Sequence, residues 1–166
     1  MIAALDVDYR EPTAIAACVL FHHWSDAAPV REFVTRIEDV AAYQPGEFYR
    51  RELPCLLSAI QQIQQRLSAI VIDGYVWLDA QSRPGLGAHL YESLGRTTPV
   101  IGVAKTAFAG SSFAQSVVRG TSTKPLWVTA VGLEARDAAQ QVATMHGEFR
   151  LPTLLKRADQ LCRETK

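Results

Sequence analysis

Three carboxylates and one amine stand out because each ends an apolar run or lies inside a dense motif. Asp6 lies in Ala4-Leu5-Asp6-Val7-Asp8-Tyr9, Asp73 in Ile70-Val71-Ile72-Asp73-Gly74, and Lys105 follows Gly102-Val103-Ala104. Glu52 closes the segment Tyr43-Gln44-Pro45-Gly46-Glu47-Phe48-Tyr49-Arg50-Arg51-Glu52-Leu53-Pro54. Asp6, Glu52 and Asp73 together are what a metal-dependent phosphodiesterase requires. Magnesium prefers hard oxygen ligands in an octahedron and keeps several waters, so a few carboxylates and a substrate phosphate complete its shell. Such an ion lowers the pKa of a bound water and neutralises charge on the scissile phosphate. Plainer readings stand beside these: an aspartate at a strand end caps a turn, a glutamate at a helix start gains from the dipole, and a lysine beyond a strand is ordinarily solvated.

The elements that must position these groups follow from apolar periodicity. Ile2 to Val7, Pro12 to Phe21 and Val30 to Ile37 read as three strands with short links, an antiparallel meander. Leu53, Leu56, Leu57, Ile60, Ile63 and Leu67 then recur at helical spacing. Ala69 to Ile72 reads as a strand, Leu86 to Leu94 as a helix and Val100 to Val103 as a strand, which implies parallel pairing through a right-handed crossover. Phe113 to Val118 and Leu126 to Val131 form an expected hairpin around Gly120, before helices at Arg136 to Met145 and Leu154 to Cys162. Pattern alone gives an α/β chain.

These motifs resemble the endonuclease V family. The stretch from Tyr43 to Pro54 matches the family pattern Tyr-x-Pro-Gly-x-x-x-x-Arg-Glu-x-Pro without a gap, and the Asp6, Asp73 and Lys105 motifs follow in family order. The resemblance implies an RNase H-like fold, a mixed β-sheet with flanking helices. It also implies an endonuclease that uses Mg²⁺ or Mn²⁺ to hydrolyse phosphodiester bonds in DNA or RNA near a deaminated base such as inosine, leaving 3′-hydroxyl and 5′-phosphate ends, as in DNA repair. By the same resemblance Asp6, Glu52 and Asp73 hold the metal and Lys105 assists at the phosphate. Tyr43, on a loop shaped by Pro45 and Gly46, wedges into the strand beside the recognised base; aromatic faces stack on any base. Gly74 falls in the substrate region, and Gly85, Ala88 and His89 resemble the family's Gly-x-Ala-Ser-His, with Gly87 where alanine stands and Ala88 where serine does. His89 equally fits an ordinary helix histidine.

The chain departs from the family in several places. Ala42 replaces the proline usually found before Tyr43. After Asp73-Gly74 a second glycine is expected, but the chain has Val76, and the family's His-Pro pair is missing before Arg83. Glycine lets a backbone approach a flipped base closely, so Val76 would obstruct or reshape a base pocket. After the Leu126 to Val131 strand the family carries Gly-His, with the histidine reaching the active site, whereas Gly132 is followed by Leu133. Glu134 or Asp137 is a candidate carboxylate substitute there, and both also read as ordinary helix-start acids. Arg150-Leu151-Pro152 and Ala158-Asp159 echo the family's last helix, read as structural. Family members usually carry a segment before the first strand, which Met1 almost starts here; either one side of the core is exposed or the start is misassigned.

Composition bounds the rest. With 166 residues, 48% of them hydrophobic, one core and one domain over 1–166 are expected. Lys and Arg together number 17 and so do Asp and Glu, so a nucleic-acid partner must be held by a local basic patch and a bound metal. Cys18, Cys55 and Cys162 fit neither a disulfide framework nor a zinc spacing. The longest apolar runs, such as Ala14 to Phe21, are too short to span a bilayer, and no signal sequence opens the chain, so a cytoplasmic protein is the default. Tyr75 and Trp77, read as exposed, could form a protein contact, leaving monomer and homodimer both open. Two alternatives to the inosine reading also stay open: the same metal site serving another nucleic acid, and a non-catalytic nucleic-acid-binding or assembly protein on the same fold.

Overall fold

Strand alternation sets the frame. In the computed structural model, which describes residues 1–38, 40, 47–108 and 113–164, β1 (Ile2–Arg10) pairs antiparallel with β2 (Thr13–Phe21), and β2 with β3 (Arg31–Ile37). All nine residues of β2 are buried, which suits its near-continuous apolar sequence: a strand covered on both faces needs no polar alternation. α1 (Phe48–Ile60) leads to β4 (Ala69–Asp73), which lies parallel to β1. α2 (Leu86–Ser93) then crosses to β5 (Val100–Ala104), parallel to β4. β6 (Gln115–Val117) and β7 (Leu126–Val131) complete a seven-stranded sheet in the order β3-β2-β1-β4-β5-β7-β6.

The period of two divides the core. Ala3, Leu5, Ile70 and Ile72 point to one face, where they meet Cys55, Leu56 and Ala59 of α1 and Leu90 of α2. Ile2, Ala4, Val71 and Val103 point to the other, where they meet Ala138 and Val142 of α3 (Ala135–Thr144) and Leu154 and Ala158 of α4 (Thr153–Glu164). Extending that parity by one step puts Asp6 and Asp73 on the α4 face.

Two element limits differ from the sequence expectation. α1 starts at Phe48, so Glu52 lies in its second turn and Pro54 inside it; the proline costs one backbone donor but does not end the helix here. The apolar repeat read as far as Leu67 outlasts the helix, which ends at Ile60, while Ile63 and Leu67 still pack on the same core from the following segment. A core-facing apolar residue needs burial, not helical backbone. All three cysteines are free and buried. Among the described residues no helix is long and apolar enough to cross a membrane.

Candidate active site

Adjacent parallel strands bring the acids together. Leu5 pairs with Ile72 across β1 and β4, so Asp6 and Asp73 are the next residues along two neighbouring strands. They stand at a topological switch point, since the chain leaves β1 toward β2 and β4 toward β5; in open α/β sheets ligands bind outside the carboxyl ends of strands at such a point. Glu52 arrives from α1 on one face of the sheet and Asp159 from α4 on the other. The four acids share one cavity of about 380 Å³, also lined by Tyr9, Gly74 and Arg163.

Glu52 opens a buried stripe with Cys55, Leu56 and Ala59, one face of the helix at i, i+3, i+4 and i+7. It is only 5% exposed. The Arg51 guanidinium lies 3.9 Å from the Tyr9 ring centroid and 3.1 Å from Glu11, which packs the start of this stripe against β1. Lys105, just past β5, donates to Asp73 Oδ2 at 2.7 Å and lies 3.6 Å from Asp159 Oδ1.

Crowding of like charge and loss of water set the electrostatics. Burial first, then the Asp73 carboxylate, raise the Asp6 carboxyl to about 7, although Asp6 Oδ1 accepts the Val7 N–H. Burial raises Glu52 to about 8, with Asp6 and Asp73 adding to it. Burial works against the Lys105 charge, but its hydrogen bond to Asp73 and the fields of Asp73, Asp159 and Asp6 outweigh it and raise its pKa. Glu52 Oε2 is buried with no close hydrogen bond among the described residues, although the Tyr9 hydroxyl beside Glu52 works against the rise of its pKa. A buried carboxylate oxygen without a partner is costly unless a cation meets it.

Beside the acids lies a second cavity of about 450 Å³, lined by Tyr49, Asp73, Gly74, Tyr75, Arg83 and Phe108 among others. Gly74 adopts φ +125°, a conformation side chains disfavour. Its carbonyl would lie 2.6 Å from a Cβ on Gly102, so the Gly102 in Gly102-Val103-Ala104-Lys105 allows this close approach of β4's exit to β5. His89 stacks on Tyr49 with ring centroids 3.7 Å apart and 14° between planes. Partial burial lowers its pKa. His89 thus backs one wall of the cavity through Tyr49. Tyr43, Pro45 and Gly46 lie outside the described residues.

The endonuclease V family model matches residues 1–141. The chain belongs to the endonuclease V family. An endonuclease V of Streptomyces coelicolor is 32% identical over 98% of this chain and 77% of its own length. The crystal structure of an endonuclease V from Streptomyces avermitilis, 26% identical, superposes with a TM-score of 0.76 over 98% of this chain and 79% of that one. A Ciona intestinalis endonuclease V, crystallised with a 24mer DNA containing an inosine followed by a ribo-adenosine, is 19% identical, with a TM-score of 0.78 over 98% of this chain and 84% of that one. The mixed sheet with flanking helices is the RNase H-like fold of endonuclease V.

Several sequence expectations for this endonuclease V chain change in the structure. Val76 does not enter the cavity: it is fully buried in the core facing α1 and α2, and its N–H donates to Thr129 Oγ1 at 2.8 Å. Tyr75 and Trp77 are not an exposed patch. Tyr75 is 9% exposed, its hydroxyl donating to the Thr106 carbonyl and accepting the Phe108 N–H, while Trp77 Nε1 donates to the Ala130 carbonyl.

Glu134 and Asp137 do not reach the acids. β7 runs antiparallel to β5 with Val131 opposite Val100, so the chain leaves β7 at the end of the sheet opposite Asp73. Leu133 packs there against the core, where no side chain at this position could serve the site. Asp159, read from sequence as structural, supplies the fourth acid instead. Its signal was the buried spacing Leu154, Ala158, Cys162, which turns the neighbouring position toward the sheet.

Proposed function

We propose that this chain is a divalent-metal-dependent endonuclease that cuts a DNA or RNA strand near a deaminated base such as inosine, leaving 3′-hydroxyl and 5′-phosphate ends. The observation that carries this is the meeting of Asp6, Glu52, Asp73 and Asp159 in one cavity, with Lys105 at its rim and a base-sized, partly aromatic cavity sharing Asp73 and Gly74. The inosine-containing DNA held by the Ciona intestinalis endonuclease V supports the choice of substrate.

Among the described residues no three His, Cys, Asp or Glu side chains form a ready metal-ligand group, yet the donor set fits Mg²⁺ or Mn²⁺. It is all hard oxygen, and Glu52 Oε2 is buried without a close hydrogen bond among the described residues. Asp6, Glu52 and Asp73 would hold the ion, with Asp159 beside them. When bound, the ion supplies water activation and charge neutralisation. Lys105 offsets negative charge on the phosphate, and its hydrogen bond keeps Asp73 oriented. The cavity walled by Tyr49, Tyr75 and Gly74 receives the base, Tyr43 engages the strand beside it, and His89 steadies Tyr49 by stacking.

The test is cleavage of single- and double-stranded DNA and RNA, each with and without one inosine, in Mg²⁺, with end groups identified on the products. Cutting restricted to inosine strands supports the full assignment. Cutting of all strands alike would leave a nuclease with another substrate, and binding without any cutting would favour a non-catalytic protein on this fold.

A further inference from the structure

The chain carries no net charge, but its cations are not evenly spread. A groove of about 590 Å³ next to the acids is lined by Lys105, Arg150, Lys156 and Arg163 against a single acid, Asp159, with Phe149, Thr121 and Ser122 in its walls. It adjoins the acidic cavity: Asp159 and Arg163, paired at 2.9 Å, line both. The acidic cavity in turn shares Asp73 and Gly74 with the cavity on its other side, whereas that cavity and the basic groove have no lining residue in common. The three therefore lie side by side, with the acids in the middle.

Phe149 is the second feature. Its side chain is 62% exposed, although the backbone that carries it is pinned: Arg119 donates to the carbonyls of Phe149, Gly147 and Met145, and Arg150 to those of Lys105 and Pro125. Gly120, next to Arg119, packs so closely that a Cβ would collide with the Glu148 carbonyl. An aromatic ring held out by a fixed backbone, with Lys156 Nζ 5.5 Å from its centroid, has the makings of a stacking platform beside a phosphate-binding cation.

We infer that the groove holds the single strand on the side of the scissile phosphate away from the base cavity, with Lys156 and Arg163 on its phosphates and Phe149 stacked on one of its bases. Charge complementarity favours this occupant: four cations line the groove against one acid, so that even with Lys105 and Arg163 paired to Asp73 and Asp159 it stays net positive in a chain whose overall charge is zero. The inference rests on the nuclease function proposed above for the placement of the phosphate, while the groove itself is tested by binding alone.

The experiment measures binding of fluorescent single-stranded oligonucleotides carrying one inosine, by anisotropy over a range of KCl, for the whole chain and its Lys156→Gln and Phe149→Ala variants. The strands are shortened stepwise from either end, and cleavage of the same strands in Mg²⁺ is followed in parallel. Lys156→Gln should flatten the dependence of log affinity on log salt by about 0.7, the value for one phosphate contact on a single strand. Phe149→Ala should weaken binding roughly tenfold with the salt slope unchanged. Both effects should vanish once the strand is shortened from one particular end, and both variants should keep the wild-type Tm, because both side chains are exposed. Wild-type affinity and slope in both variants would overturn the inference. So would a concentration-dependent dimer that Phe149→Ala dissolves while strand binding stays the same, since the groove would then be a contact between copies. Groove-dependent binding without cleavage by the wild type would uphold the groove and refute the nuclease.

Discussion

Val76 occupies the space that a side chain on Gly87 would need: a Cβ built on Gly87 would lie 2.6 Å from Val76 Cγ2 and 3.3 Å from Ile72 Cδ1. The two departures from the family pattern, valine for glycine at 76 and glycine for alanine at 87, are thus two halves of one packing change. Gly87→Ala should cost about 1–3 kcal/mol through overpacking. Combined with Val76→Gly, the losses should be less than additive by roughly 0.5–3 kcal/mol. Urea unfolding of the two single variants and the double variant measures this, and strictly additive losses would show that the two positions do not share space.

The pH response follows from the buried acids. Asp6 and Glu52 are raised to about 7 and about 8 in the folded chain, above their values when unfolded. The folded state therefore binds more protons than the unfolded one from the ordinary carboxylate range up to those values. Stability from this source is fully present below the unfolded pKa and is lost as pH rises through the folded pKa. In EDTA the Tm should fall between pH 5.5 and 8, and less steeply in Asp6→Asn. Added Mn²⁺ binds the deprotonated carboxylates, so the rise in Tm it produces should be greater at pH 8 than at pH 5.5. A stabilisation by Mn²⁺ that shrinks with rising pH would contradict ligation by these acids.

The far end of the sheet should be silent. Glu134→Gln and Asp137→Asn should each change stability by no more than ~0.3–1 kcal/mol, the scale of a helix-start charge, and leave Mn²⁺ affinity as it is. Leu133→His should gain no activity. A metal affinity that falls in either acid variant, measured by calorimetry, would mean that the chain after β7 reaches the acids after all.

Asp159 should behave as a member of the site. It lies 3.6 Å from Lys105 Nζ and 2.9 Å from Arg163 Nη2. Asp159→Asn should weaken Mn²⁺ binding and lower kcat together, by about 10-fold or more. Loss of stability with Mn²⁺ affinity and kcat unchanged would reduce it to a helix ion pair.

Asp6, Asp73 and Glu52 were legible because each is an acid in line with buried apolar residues: two continue strands and one heads a helical stripe. Glu52 reads as a helix-start residue because the apolar repeat begins at Leu53, whereas the helix itself begins at Phe48. Asp159 was not legible in the same way, because α4 is rich in charge on its outer face and its aim depends on how Ala158 and Cys162 seat the helix on β1 and β2. The misplacement of Leu133, Glu134 and Asp137 has a topological cause. Strand periodicity gives β7 its faces but not its direction, and direction decides at which end of the sheet the next residues emerge. Val76 differs from expectation for a related reason: sequence puts a bulky residue beside Gly74 and so into the cavity, whereas Gly87 leaves room for it in the core.

The most direct test of the central claim is the Mg²⁺ dependence of cleavage of one single strand containing one inosine, for the wild type and Asp73→Asn side by side. The wild type should cut near the inosine only when Mg²⁺ is present, and Asp73→Asn should be slower by at least ~10²-fold at saturating Mg²⁺, having lost one charged ligand and the hydrogen-bond partner of Lys105. Equal rates for the two proteins, or cleavage indifferent to EDTA, would contradict the account.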